Sequence, residues 1–331
     1  MHVSGCQRIQ RVSLHGEELA YDALRVFVNC QRERRLNKVR ERKQAARKAN
    51  GLLAAGGGYM LVTGHSLAIR VDGSIACWGY NDQGQAPPDG VPGNFVAIAA
   101  GARHSLALRV DGGIACWGDN TAGQAPPEGV PGNFVAIAAG ASHSLALRVD
   151  GSIACWGYNF NGQAPPDGVP GNFVAIAAGA RHSLALRVDG GIACWGDNTA
   201  GQAPPEGVPG NFVAIAAGAS HSLALRVDGS IACWGYNFNG QAPPDGVPGN
   251  FVAIAACADY SLALRVDGGI ACWGYNFNGR VPGNFVAIAA GGRHSLALRV
   301  DGSVACWGRN NRGQAPPDGV SGPFRVTQAE L

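Results

Sequence analysis

The sequence predicts an all-β fold, a seven-bladed β-propeller preceded by a basic, helical N-terminal extension. Three observations carry that expectation. One segment recurs seven times, each copy alternates as strands do and lacks a helical period, and the copies are apolar on both faces.

A full copy, NFVAIAAGARHSLALRVDGGIACWGDNTAGQAPPEGVPG, starts at Asn94. The tryptophans at 78, 117, 156, 195, 234, 273 and 307 are spaced by 39 residues five times and then by 34. Self-similarity at such a period marks a repeat architecture. VAIAAG is a short apolar run ending in Gly, a strand and a tight turn. HSLALRV alternates, with Leu106, Leu108 and Val110 on one face and Ser105, Ala107 and Arg109 on the other, the period of a strand. Asp111-Gly112 is a hairpin turn, because Gly accepts positive φ. IACWG is the returning strand, and GQAPPEGVPG is a turn-rich connection in which a short edge strand would tolerate proline.

Such a small sheet cannot bury two apolar faces alone. Stacking copies radially buries both, and the Ala/Gly-rich VAIAAG strand suits the crowded position at the axis. An open solenoid would need polar caps, which the repeats lack. Phe324 falls where the repeat phenylalanine belongs. The C-terminal strand 324–327 is therefore expected to supply the inner strand of the blade holding His65 and Trp78 and so close the ring. The domain boundaries expected are 1–58 for the extension and 59–331 for the propeller.

Composition agrees with this picture. Gly is 50 of 331 residues, hydrophobic residues reach 46 % and charged residues only 15 %, which excludes collagen-like and disordered chains. The net charge of +3 is unevenly placed. Residues 1–50 hold 12 Lys+Arg against 5 Asp+Glu, net +7, whereas the rest holds 14 against 18, net −4. No apolar run approaches the roughly 18 residues that span a bilayer, and no secretory leader is apparent. The expectation is a monomer of the cytoplasm, the nucleus or both, with no membrane contact.

The string GARHSLALRVDGGIACWGDNTAGQ (residues 101–124), written six more times with small changes, resembles the repeat of the regulator of chromosome condensation family in a compact form. The resemblance covers residues 59–331. It implies a seven-bladed propeller that binds other proteins. Members of that family include an exchange factor for the small GTPase Ran, ubiquitin-ligase subunits and inhibitors. The exchange factor relies on elements inserted outside the basic repeat, and this chain has none between blades.

Repeated chemistry-bearing residues are read as structural. His65, His104, His143, His182, His221 and His294 share one repeat position, too far apart on a ring to converge on a metal; they are expected to hydrogen-bond within a turn. Cys77, Cys116, Cys155, Cys194, Cys233, Cys272 and Cys306 precede the tryptophans and read as small buried hydrophobes. Cys6, Cys30 and Cys257 stay unassigned. A catalytic site needs different residues in different roles at one place, and near-identical blades offer the same residues seven times. Neither an enzyme activity nor a cofactor is expected.

Function is expected where the copies differ. After the tryptophan the blades read Asn-Asp-Gln (81–83), Asn-Thr-Ala (120–122 and 198–200), Tyr-Asn-Phe-Asn (158–161, 236–239 and 275–278) and Arg-Asn-Asn-Arg (309–312). Tyr158, Phe160, Tyr236, Phe238, Tyr275, Phe277, Arg309 and Arg312 would then lie on loops of one face, and such residues are enriched in binding hot spots. The alternative is that the aromatics pack back on the blade edge. The sixth copy is irregular: Cys257 replaces the repeat Gly, Asp259 and Tyr260 replace Arg-His or Ser-His, and five residues are missing around Arg280. It marks either a functional edge or drift.

Residues 17–50 have no Pro or Gly and read as a helix. Arg32, Arg34, Arg35, Lys38, Arg40, Arg42, Lys43, Arg47 and Lys48 form a patch of the kind that binds an import receptor or nucleic-acid phosphates, or else a solvated face. The function expected is a protein-binding scaffold whose tail sets location. The alternatives are a guanine-nucleotide exchange factor for a Ran-like GTPase and a chromatin-associated protein.

Overall fold

The computed structural model describes residues 51–58, 64–275 and 279–326. The basic residues Arg32–Lys48 and their expected helix, together with Phe277 and Thr327, lie outside the described residues.

Each repeat folds as an antiparallel sheet, a blade, with inner, central and outer strands in chain order. Blade 2 shows the pattern: Phe95–Ala100, His104–Arg109 and Ile114–Gly118. Blades 3, 4 and 5 repeat it 39 residues apart, and blade 7 comprises Phe285–Ala290, His294–Arg299 and Val304–Gly308. The inner strands contact one another in sequence around a closed ring, the seventh meeting the first. Their Ala-Gly ends line the axis and leave a cavity of only about 90 Å³ there.

The alternation in the sequence sets how blades pack. Leu106, Leu108, Ile114 and Cys116 of blade 2 cluster with Ala146, Ala154 and Trp156 of blade 3. Leu145, Leu147 and Ile153 of blade 3 meet Ala185, Ala193 and Trp195 of blade 4 in the same way. A leucine face therefore meets an alanine-tryptophan face at each junction. The central strand is covered on both sides, so all of His104–Leu108 is buried. Burial of one such leucine stabilises by about 1.5–3 kcal/mol, and the repeat multiplies that gain around the ring.

Ring closure differs from the expectation in its parts. Residues Leu53–Gly57 pair with Gly64–Ile69 and form the inner strand of blade 1. The boundary expected at 58/59 thus falls too late, because 52–57 supply apolar backbone to a sheet. The C-terminal segment adds only the start of that strand. Phe324 bridges Arg70 as Phe95 pairs with Arg109, and the Arg325 N–H donates to the Ile69 carbonyl while the Ile69 N–H donates to Leu52. Blade 1 therefore has an inner strand split between the two ends of the propeller. Phe324 is buried beside Trp78, with ring centroids 6.4 Å apart.

The proline-rich connections run along the outer edge as a single two-bond bridge, Ile114 with Val130 in blade 2. Blade 6 is the exception. Its shortened connection draws Gly279–Val281 alongside Ile270–Gly274 as a fourth strand.

Candidate functional site

Three layers of hydrogen bonds tie each blade to the next. Nearest the axis, backbone bonds cross the junctions, such as Ala102 N–H to the Ala141 carbonyl at 3.3 Å and Ala219 N–H to the Cys257 carbonyl at 3.0 Å. Farther out, each repeat histidine reaches the serine of the following blade: His65 Nε2 to Ser105 Oγ at 2.9 Å, and so on around to His294 and Ser66. The histidines therefore bond between blades rather than within their own turns. In the third layer, a glutamine carbonyl of the connection accepts from that serine and from the next tryptophan. Ser105 Oγ–H and Trp117 Nε1–H both donate to the Gln85 carbonyl at 2.9 Å.

The second and third layers together fix the histidine tautomer. The serine spends its one proton on the glutamine carbonyl, so it accepts from histidine, and Nε2 carries the hydrogen. Nδ1 is then a bare acceptor, and it has no partner in any of the six rings. Its neighbour is the inner-strand glycine: a Cβ on Gly140 would stand 2.2 Å from His143 Cε1 and 2.6 Å from the Gly179 carbonyl oxygen. Burial holds the rings neutral, pushing His65, His143 and His221 down to about 3 and His104, His182 and His294 to about 4. These side chains are structural ties. Among the described residues no group of three His, Cys, Asp or Glu is placed to hold a metal. Burial likewise pushes the repeat thiols up, to about 12 for Cys116 and Cys155.

The junction between blades 6 and 7 departs in all three layers. At the axis the thiol of Cys257 points at the Gly291 and Gly292 carbonyls. Tyr260 stands in the histidine position, and its hydroxyl reaches the His294 carbonyl at 2.6 Å and Ser295 Oγ at 2.7 Å. The two changes fit each other. A repeat histidine needs a bare glycine beneath its ring, and where tyrosine replaces the histidine the glycine becomes cysteine. The five missing residues remove the connection's Gln-Ala-Pro-Pro stretch, so no glutamine carbonyl follows blade 6. Ser295 turns to Tyr260 instead, and Trp307 Nε1 is buried without a partner among the described residues. Elsewhere the glutamine Cβ lies over the glycine after the tryptophan, as Gln85 does over Gly118; at Gly308 no glutamine lies above. A notch of about 290 Å³ opens there, lined by Asp259, Tyr260, Tyr275, Gly292, Arg293, Gly308 and Arg309.

The post-tryptophan loops share a face with this notch. In each blade the first loop residue bonds the backbone just before the central strand, as Tyr158 N–H does to the Ser142 carbonyl and Arg309 N–H to the Arg293 carbonyl. Phe160 and Phe238 are each 85 % exposed, so they do not fold back on the blade. Each stacks beside its tyrosine, Tyr158 or Tyr236, at 6.4 Å between centroids. Tyr275 is also exposed, and the exposed Arg312 lays its guanidinium 5.3 Å from the Tyr80 ring. Arg309 is half-buried. Two expected contact residues are placed differently: Tyr260 is 3 % exposed with its hydroxyl committed inside, and Asp259 is 8 % exposed at the wall of the notch. The sequence reading missed the serine and glutamine ties and the roles of Trp307 and Gly308. Their signal was the Gly-Gln pair that follows every blade except the sixth.

Comparison with known proteins bears on the fold. The family model described as the regulator of chromosome condensation (RCC1) repeat matches residues 95–124, 134–163, 173–202, 212–241 and 285–314. The blades it leaves out are the first, with its split strand, and the irregular sixth. No curated protein matches the chain. Among solved structures, the chain is similar to the CRINKLY WD40 ectodomain of the receptor kinase ACR4 from Arabidopsis thaliana, at 22 % identity and a TM-score of 0.65, covering 81 % of this chain and 98 % of that one. It is similar to Prp20p from Saccharomyces cerevisiae, described with its binding properties to Gsp1p and histones, at 22 % identity and a TM-score of 0.62, covering 79 % and 86 %. A structure of Kap60 bound to that yeast protein matches at 22 % identity and a TM-score of 0.61, covering 78 % and 85 %.

Proposed function

We propose that this RCC1-repeat propeller is a protein-binding scaffold that works through the face carrying the post-tryptophan loops. The observation that carries the reading is the pair of solvent-exposed, stacked aromatic couples, Tyr158–Phe160 and Tyr236–Phe238. Exposed phenylalanine costs solubility and contributes nothing to the blade core, whereas aromatics are the side chains on which interfaces concentrate binding energy. The opposite end of the blades exposes valines such as Val149 and Val188, a residue type under-represented among hot spots. The repeated polar side chains are spent on blade-to-blade ties, which favours binding over catalysis.

The test is affinity capture with the full chain and with the Phe160→Ser/Phe238→Ser variant, followed by titration of the captured protein in purified form. The reading expects binding weakened at least tenfold in the variant, with an unchanged melting temperature. Equal affinity would remove the aromatic couples from the interface.

A second reading, guanine-nucleotide exchange on a small GTPase, follows from the fold shared with Prp20p, which is described with binding to Gsp1p. Nucleotide release from purified GTPases at catalytic concentrations of this chain would favour it. The basic residues 32–48 are proposed to set location through an import receptor or through histone-bound nucleic acid, in the nucleus, the cytoplasm or both. Deletion of residues 1–50 with unchanged nuclear retention would rule that out.

A further inference from the structure

The chain writes the same receptor seven times and, among the described residues, fills it six times. The receptor is the surface of a blade that meets the connection from the blade before it: the serine of the central strand, the tryptophan of the outer strand, and the glycine that follows. In blade 2 these are Ser105, Trp117 and Gly118, held by Gln85. In blade 1 they are Ser66, Trp78 and Gly79, held by Gln314. Blade 7 keeps the receptor in the same geometry. Ser295 pairs with Trp307 in the register that Ser105 and Trp117 show, and Gly308 has φ 99° where Gly118 has 100°. Two things differ: the Ser295 hydroxyl is engaged by Tyr260, and among the described residues no glutamine turn lies over Trp307 and Gly308, the blade 6 chain pairing with its own outer strand from Gly279.

We infer that this vacant junction is a docking notch for a glutamine-bearing turn of a partner protein, of the Gly-Gln-Ala type that the chain itself supplies at the other junctions. Four features point to that chemistry. The notch, about 290 Å³, lies at the lower edge of ligand-site volumes, roughly 300–1,000 Å³, which suits a side chain on a turn. Trp307 Nε1 is a buried donor without an acceptor among the described residues, as each other repeat tryptophan would be without its glutamine carbonyl. Asp259, 8 % exposed, brings a carboxylate to the wall beside the Arg293 guanidinium, while its main-chain carbonyl accepts from the Tyr275 N–H. Arg103 and Ser142 hold the same place in blades 2 and 3, so the acceptor is particular to this junction. A turn of this type offers the main-chain carbonyl of its glutamine for the indole and N–H groups for the carboxylate, and the glutamine side chain holds the turn, as Gln202 Oε1 does by accepting from the Ala200 N–H. The nearby guanidinium groups of Arg293 and Arg309 provide further donors to carbonyl oxygens.

This notch is independent of the aromatic couples on blades 3 and 5. A synthetic peptide with the sequence of residues 196–208, GDNTAGQAPPEGV, is titrated into the full chain while the tryptophan indole N–H resonances are followed by NMR. Trp307 is assigned through Trp307→Phe. The inference expects a saturable shift at the Trp307 indole with the other tryptophans unmoved, and binding at least tenfold weaker with the glutamine of the peptide changed to alanine. Asp259→Ser, which installs the residue of blades 3 and 5, is expected to weaken binding at least fivefold without lowering the melting temperature. A variant whose shortened connection is replaced by residues 236–247 of blade 5 is expected to fill the notch, raise the melting temperature and lose peptide binding. No Trp307 shift at millimolar peptide, or equal binding by the alanine peptide, overturns the inference and leaves the aromatic face untouched. Undiminished binding by the chain with the restored connection also overturns it.

Discussion

Acid should unfold this propeller well before its carboxylates are protonated. The six repeat histidines sit in a circuit of neutral rings interrupted only at Tyr260, each donating Nε2–H to a serine that has no proton left to give back. Their folded pKa values, about 3 or about 4, lie below the value of 6.5 for an unfolded chain. Between those limits the unfolded chain binds up to six more protons than the folded one, so stability is full above pH 6.5 and is lost as the pH falls below it. One proton corresponds to about 1.4 kcal/mol per pH unit. At pH 5.5 the loss is about 1.4 kcal/mol per histidine, on the order of 8 kcal/mol for the circuit. That is comparable with the whole stability of a typical domain, about 5–15 kcal/mol. Urea unfolding at pH 8, 7, 6.5, 6 and 5.5 measures it, and the slope of stability against pH counts the protons. Changing one histidine, His182→Gln, should reduce the slope below pH 6 by about one proton. Stability that stays flat from pH 8 to 5.5 would refute neutral burial of the ring. The turn aspartates Asp72, Asp150 and Asp301 are held below the ordinary carboxylate value by the hydroxyl and backbone N–H of Ser74, Ser152 and Ser303. They act only at pH below that value and cannot mimic the histidine window.

Three further outcomes follow from the contacts. Tyr260→Phe strips Ser295 of its partner and should cost about 1–3 kcal/mol, read from the urea midpoint. Gly140→Ala drives a methyl into His143 and the Gly179 carbonyl and should cost about 1–3 kcal/mol by overpacking; a neutral result would show that the axis can relax. Phe324→Ala removes the C-terminal half of the split strand's anchor and should cost about 3–5 kcal/mol, with the N- and C-terminal blades losing amide protection before the others in hydrogen exchange.

What could be read from the sequence was the unit, and what could not was the contact between units. Alternation in HSLALRV and the Asp-Gly turn specify a blade from local chemistry alone. The closure was legible only at one end: Phe324 repeats a visible position, but Leu52–Gly57 carries no phenylalanine and joins the same strand only through space. The histidine was legible as structural, yet its partner lies 40 residues away in the next blade, beyond what a repeat's own spacing can express. The sixth copy was visible as an irregularity. That Cys257, Tyr260 and the lost glutamine form one coordinated change becomes apparent only when the glycine is seen beneath the histidine ring. The exposed aromatics were legible because they differ between blades, and their exposure settled their orientation.

The central claim is that a partner meets the loop face. A photo-reactive phenylalanine analogue placed at 160 or 238 on that face, and at Val149 or Val227 on the hairpin ends, tests it most directly in the full chain. A purified partner is expected to crosslink from 160 and 238 and not from 149 or 227. Crosslinking from the hairpin valines alone would place the interface on the other face and contradict it.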